Sequence, residues 1–497
     1  MSVVLAIDQG TTGSTCLVFD SHGRVMGRAY SEFTQHYPRP GWVEHDPEEI
    51  WNVTLRAARE AMAAAGGKAP DAIGITNQRE TVVVWDRTSG VPVHNAIVWQ
   101  DRRTAQLCRD LREAGREAFV RSRTGLVLDP YFSATKLAWL LENVPGLTDR
   151  AAAGELAAGT IDSWLIWKLT GGSAHVTEPT NASRTLLYDI LKLDWDDELL
   201  DVFGVPRALL PQVRPSAGPF GVANADLFGA EVPVSGVAGD QQAALFGQGC
   251  VHGGMAKNTY GTGAFLLLHT GSEPVESRHG LLTTVACDSR GGPAYALEGA
   301  IFIAGAAVQW LRDELATLSA AAETEALAAG LDGNDGVYFV PAFVGMGAPH
   351  WNPEARGTIV GLTRGTGRAH VARAALEAMA YSTRDVLEAM IGDSGIAAQE
   401  LAVDGGASTN NWLMQFQADV LGVRVRRPHL VETTAVGAAA LAGIGAGLWP
   451  DADGFLRESE APVIFEPGMD ADDRARLAKG WNRAVRAALA WADDHGE

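Results

Sequence analysis

Val3-Val4-Leu5-Ala6-Ile7-Asp8-Gln9-Gly10-Thr11-Thr12-Gly13-Ser14-Thr15-Cys16-Leu17-Val18-Phe19 is the stretch on which the fold turns. Two apolar runs, Val3 to Ile7 and Cys16 to Phe19, flank a polar turn rich in glycine, which is the grammar of a β-hairpin. The turn also has the chemistry of an anion cradle. Glycines let backbone N–H groups approach phosphate oxygens closely, and the hydroxyls of Thr11 and Thr12 add donors. Asp8, beside them, is an oxygen ligand suited to a hydrated Mg²⁺ held against the same phosphates. Taken alone, the segment reads more readily as a plain hairpin turn.

The same grammar returns in the middle of the chain. Ala256-Lys257-Asn258-Thr259-Tyr260-Gly261-Thr262-Gly263 leads into the apolar run Ala264 to Leu268, and a third glycine-rich turn stands at Val403-Asp404-Gly405-Gly406-Ala407. Between these landmarks strands alternate with helices. Asp46-Pro47-Glu48-Glu49 is a strong helix start, with a capping acid, proline in the first turn and acids at the positive dipole end, and that helix should stop at Gly66-Gly67. Strands follow at Ala72–Thr76 and Thr81–Asp86, and Leu477, Trp481, Val485 and Ala488 mark one face of a closing helix. Asp240 before Gln241-Gln242-Ala243 reads as a helix N-cap, and Gly299 to Trp310 as helix-like. This predicts an α/β fold of two similar domains facing each other, residues 1–248 and 249–497.

The chain has 497 residues and a net charge of −20. A 46% hydrophobic fraction with 20% charged residues excludes a disordered chain and supplies ample core. The longest run of small apolar residues, Gly437 to Pro450, falls short of the roughly 20 residues of a membrane span. Nucleic acid is disfavoured, because phosphate backbones demand a basic face. The basic cluster Arg424, Arg426, Arg427 reads instead as an alternating edge strand ending at Pro428. The N-terminus lacks a basic signal-type segment and reads as a strand of the mature fold. Four separated cysteines, Cys16, Cys108, Cys250 and Cys287, fit buried thiols in a reducing cytoplasm and no metal knuckle. No P-loop signature occurs, nor the protein-kinase motif set.

The three glycine turns together resemble the actin-like ATPase superfamily, and two further stretches narrow this to the FGGY carbohydrate kinases: Tyr131-Phe132-Ser133-Ala134-Thr135-Lys136-Leu137-Ala138-Trp139-Leu140, and Gly357 to Leu362 continuing to His370 through Glu377. Within that family, Asn77-Gln78-Arg79-Glu80-Thr81, Val98-Trp99-Gln100, Ala238-Gly239-Asp240-Gln241-Gln242-Ala243 and Asn258 to Gly263 are similar to the branch that phosphorylates glycerol. The resemblance covers nearly the whole chain. It implies two actin-like (ribonuclease H-like) domains flanking a cleft for ATP and substrate, with Mg²⁺ as cofactor, and it leaves open a homodimer or a homotetramer.

It also implies roles. Asp240 is the general base and, with Asp8, faces the metal. Arg79, Glu80, Tyr131 and Gln241 contact the hydroxyls of glycerol, while Trp99 and Phe265 wall its carbon edge. The nucleotide falls to Thr11, Thr12, Gly13, Thr262, Gly305, Gln309, Gly406 and Asn410. Read without the resemblance, Arg79-Glu80 is a strand-end salt bridge, the aromatics are core, and Gly305 is a small residue in a helix. The chain departs from the family at Thr15, where an arginine is common in the first phosphate loop, and at Gly221 to Glu231, which lacks both the glycine-rich inhibitory loop for a sugar bisphosphate and the phosphorylatable histidine of some relatives. A kinase for a longer polyol or ketose is the nearest rival reading. An actin-like chaperone or filament ATPase would need a client module for which no residues remain, and a catalytically dead regulator is at odds with the presence of Asp8, Asp240 and both loops.

Overall fold

A computed structural model describes residues 2–456 and 461–493. Two mixed sheets dominate it. The first runs in the order Ala217–Ala223, Val232–Gly239, Ala72–Asn77, Val3–Gln9, Gly13–Asp20, Val25–Glu32. The second runs Leu282–Cys287, Pro293–Ile301, Ala264–Gly271, Met255–Tyr260, Glu400–Gly405, Arg424–Arg427, Val463–Phe465. Each is an antiparallel meander that continues into two parallel strands and ends on an antiparallel edge strand. The echo seen between the two glycine turns is therefore an echo of whole sheets.

The first sheet is covered on both faces, as parallel strands require. Leu5, Ile7 and Val18 point to one side, against Ile50, Trp51 and Ala57 of helix Pro47–Ala64. Val4, Ala6, Leu17 and Phe19 point to the other, against helix Thr433–Gly445. That second helix comes from the far end of the chain. It also packs on helix Asp240–Gly247, and Gly437 permits the contact: a Cβ there would run into the backbone of Ala243. The second sheet is buried under the 27-residue helix Arg368–Ser394, helix Asn411–Leu421 and the closing helix Ala471–Asp493, whose Leu477, Trp481, Val485 and Ala488 are buried as expected.

Local signals are obeyed. Asp46 accepts from the backbone N–H of Glu48 at 2.8 Å and of Glu49 at 3.4 Å, and the helix gives way to Gly66 and Gly67, both with positive φ. Three expectations need correction. Gly299 to Trp310 is not one helix: strand Pro293–Ile301 ends within it and helix Gly305–Asp313 begins after Ala304, because Gly299 to Ile301 pair with Ala264 to Leu266. Arg424–Arg427 is an inner strand, since Val463–Phe465 pairs with its outer side. Asp240 is the first helical residue rather than the cap, because Gly239 ends its strand and fills the cap position in extended backbone.

All four cysteines are buried and unpaired, and no cluster of three metal-ligating residues occurs among the described residues. No helix among them is long and apolar enough to cross a membrane.

Candidate active site

Strands Val3–Gln9, Ala72–Asn77 and Val232–Gly239 run parallel and in register, with Gln9 opposite Asn77 and Asn77 opposite Gly239. Their carboxyl ends therefore lie side by side, which is where ligands bind in such sheets. Asp8 sits at the first end, Gln78-Arg79-Glu80 just beyond the second and Asp240 just beyond the third. Three separate segments deliver their chemistry to one edge.

The second sheet supplies the opposing wall. Lys257, Leu267 and Glu298 are direct partners across three strands, and Thr259, Phe265 and Ala300 form the next such row on the same face. Tyr260 and Gly405 end neighbouring parallel strands, so the second and third glycine turns also stand together. Gly405 has φ +82°, and any side chain there would meet the Tyr260 backbone. The first and second glycine turns close by the same hydrogen bond, Gly10 N–H to Gly13 O at 2.9 Å and Gly261 N–H to Gly263 O at 2.8 Å.

Between the walls lies a buried charge cluster. Arg79 grips Glu298 with both terminal nitrogens, at 2.7 and 2.9 Å, and its Nε is 3.1 Å from Asp240 Oδ1. Arg184 donates to Glu80 at 2.6 Å and to Glu298 at 3.1 Å. Burial alone would raise the Glu298 carboxyl, but Arg184 and Arg79 outweigh it and hold the group at about 2. Burial also pushes the Glu80 carboxyl up, against the pull of Arg184 and Arg79. Glu80 itself stands at φ +62°, a costly conformation for a residue with a Cβ, locked by a bond from Ser133 Oγ to its carbonyl.

Asp240 is the partly open member of the group, its side chain 31% accessible. Its Oδ1 accepts from the N–H of Gln241 at 2.7 Å. Gln241 in turn is held by Lys257, whose ammonium also bonds Thr259 at 2.8 Å and is pulled down to about 8 by burial, against Asp404 and Asp240. Asp8 hydrogen-bonds Thr434, and burial together with the charges of Asp240 and Glu432 lifts its carboxyl to about 6 despite that bond. A bound cation would relieve a carboxylate raised in this way, and Asp8 and Asp240 are the oxygen donors that could hold one.

Trp99 and Tyr131 meet edge to face, ring centroids 5.6 Å apart. The Trp99 indole donates to Thr11 Oγ at 2.9 Å, so the aromatic wall is tied to the first glycine turn. Burial raises the Tyr131 phenol, which keeps it a donor. At the second glycine turn, the N–H groups of Ala304 and Ala306 bond the carbonyl of Thr262 and that of Gly305 bonds Gly261, and a Cβ on Gly305 would press on Gly261 O. Thr12, in the first glycine turn, and Thr262, Gln309 and Gly406 are exposed. Gly13 is buried, and Asn410 caps helix Asn411–Leu421 and reaches Thr324. Sequence reasoning missed Arg184, Glu298 and Lys257. Their only signal was a charge within an otherwise apolar or polar-neutral segment.

The model of the N-terminal domain of the FGGY family of carbohydrate kinases matches residues 3–247, and that of its C-terminal domain matches residues 256–446. The chain belongs to the FGGY family of carbohydrate kinases. Among FGGY relatives, glycerol kinase of Petrotoga mobilis and glycerol kinase 2 of Thermotoga maritima are each 57% identical over 493 residues, covering 99% of both chains. The crystal structure of Plasmodium falciparum glycerol kinase with ADP superposes with a TM-score of 0.94 at 36% identity, covering 98% of each chain. Gluconate kinase from Lactobacillus acidophilus shares the FGGY fold at a TM-score of 0.89 and 21% identity, covering 100% of this chain and 99% of its own.

Proposed function

We propose that this FGGY kinase transfers the γ-phosphoryl group of ATP to the 3-hydroxyl of glycerol, giving sn-glycerol 3-phosphate and ADP. The observation that carries the reading is full-length identity above half to glycerol kinases, in a chain whose Arg79, Glu80 and Asp240 converge on one cleft. Residues 1–248 and 249–497 act as the two lobes, with helix Thr433–Gly445 crossing to the first. A small triol offers three hydroxyls and a thin carbon edge. Arg79, Glu80, Tyr131 and Gln241 supply donors and acceptors, and Trp99 and Phe265 the apolar wall.

Phosphoryl transfer passes through a loose transition state, so positioning and charge neutralisation do most of the work. Asp240 takes the hydroxyl proton as the phosphoryl group moves, a step typically worth ~10²–10⁴-fold. Asp8 and Asp240 would hold Mg²⁺, which when bound would neutralise the phosphate charge. Thr11, Thr12, Gly13 and Thr262 face the phosphates, and Gly305, Gln309, Gly406 and Asn410 the nucleoside. Setting the site between lobes lets closure exclude water, the competing acceptor. The reading is tested by coupled ADP release with glycerol, xylulose and gluconate, with and without Mg²⁺. Glycerol should be strongly preferred and Mg²⁺ required; preference for either other substrate would overturn it.

A further inference from the structure

We propose that Glu298 is a positioning residue of the acceptor site, reaching from the second lobe to fix the Arg79 guanidinium against Asp240; this rests on the glycerol-kinase reading. Glu298 belongs to the sheet opposite the one that carries Arg79 and Asp240. The acceptor pocket of the first lobe is therefore complete only when strand Pro293–Ile301 stands against it. The carboxylate is fully committed: one oxygen takes Arg79 Nη1 at 2.7 Å, and the other takes Arg79 Nη2 at 2.9 Å and Arg184 Nη2 at 3.1 Å. Such a fork sets the plane of the guanidinium as well as its place.

No neighbour can replace it. Two buried arginines face two buried glutamates, Glu80 and Glu298, and Arg184 Nη1 already lacks an acceptor among the described residues. Without Glu298, the Nη groups of Arg79 would keep only Gln242 Oε1 at 3.2 Å as a protein acceptor. The remaining negative charges near its Nε are Asp240 at 3.1 Å and Glu80 at 3.9 Å, the two carboxylates the substrate needs. The Nη groups of Arg79 would turn toward them and compete with the glycerol hydroxyls. Glu298 thus occupies the Nη edge of the arginine and leaves only its Nε toward Asp240 and Glu80. Among the described residues the side-chain hydrogen bonds of Glu298 go to Arg79 and Arg184, so the effect should fall on one substrate.

Steady-state kinetics of the full chain test this. Glu298→Gln should raise the glycerol KM by at least ~10-fold and leave the MgATP KM within ~2-fold, since a lost charge in a buried ion pair is felt where its partner acts. Glu298→Asp, which keeps the charge but shortens the reach, should give an intermediate glycerol KM. Because Glu298 acts through Arg79, adding Glu298→Gln to Arg79→Gln should raise the glycerol KM no further. A merely structural role predicts a fall in kcat with both KM values unchanged, and that result overturns the proposal, as does a multiplicative double variant. If Glu298→Gln fails to fold, Glu298→Asp decides on the same split of the two KM values. A wild-type chain that releases no ADP with glycerol overturns the function itself; an active wild type with an unchanged Glu298→Asp glycerol KM overturns only this inference.

Discussion

The indole Nε1 of Trp99 donates a hydrogen bond to the hydroxyl of Thr11 at 2.9 Å. One residue thus links Tyr131 to the first glycine turn, the two parts assigned above to the acceptor and to the phosphates. Trp99→Phe keeps an apolar ring and removes the donor. A neutral hydrogen bond contributes about 1 kcal/mol, so both KM values should rise, by ~2–10-fold each. Steady-state titration of each substrate checks this, and a change confined to glycerol would contradict the link.

Gly437 is a point of close approach between helices Thr433–Gly445 and Asp240–Gly247. Gly437→Ala forces a methyl group into the Ala243 backbone and should cost about 1–3 kcal/mol through overpacking. Thermal unfolding should begin several degrees lower, and because the second helix starts with Asp240, kcat should fall as well. An unchanged melting curve would mean the helices part without strain.

His45 predicts acid lability near the first turn. It is fully buried, with Nε2 3 Å or less from Gln35 Oε1, at 2.7 Å, and Gln35 Nε2 donates to the carbonyl of Thr11 at 3.0 Å. Burial, with His36 nearby, lowers its pKa to about 3 from 6.5. The unfolded chain therefore binds this proton first, so the contribution to stability is present above about pH 6.5 and is lost as pH falls toward 3, at up to about 1.4 kcal/mol per unit. The melting temperature should drop between pH 6 and 4, and His45→Asn should flatten that drop. Equal slopes in the two proteins would exclude His45 as the cause.

Control by a sugar bisphosphate is not expected. The segment from Gly221 to Glu231 forms a strand end and the short helix Ala225–Phe228, and its carbonyls at Asp226 and Leu227 are held by Arg59. Millimolar fructose 1,6-bisphosphate should leave the rate of the glycerol reaction unchanged. Strong inhibition would place a binding loop elsewhere.

The parts of this fold that depend on neighbours in sequence were legible. Asp46 capping its helix, the two glycine hairpins and the buried stripe Leu477–Trp481–Val485–Ala488 each follow from residues within a few positions. What depends on distant pairing was not. Nothing near Gly437 says that its helix returns to the first sheet, and Arg424–Arg427 looked like an edge because its cover, Val463–Phe465, lies far along the chain. Gly299 to Trp310 is small and apolar enough for either element, and only pairing with Ala264 to Leu266 makes its start a strand. In the charge cluster, residues borne by long motifs, such as Arg79, Glu80 and Asp240, could be singled out in advance. Glu298 and Arg184 could not, since their meaning arises only when two sheets and a loop bring four charges together.

In the proposed reaction Asp240 removes the proton from the acceptor alcohol while its neighbours only bind and position. Asp240→Asn keeps the shape of the residue and can still face Arg79, but it accepts no proton. The most direct measurement is the turnover of Asp240→Asn on glycerol beside its affinity for MgATP. The expected result is a kcat lower by ~10²–10⁴-fold with nucleotide binding retained; near-normal turnover would contradict the account.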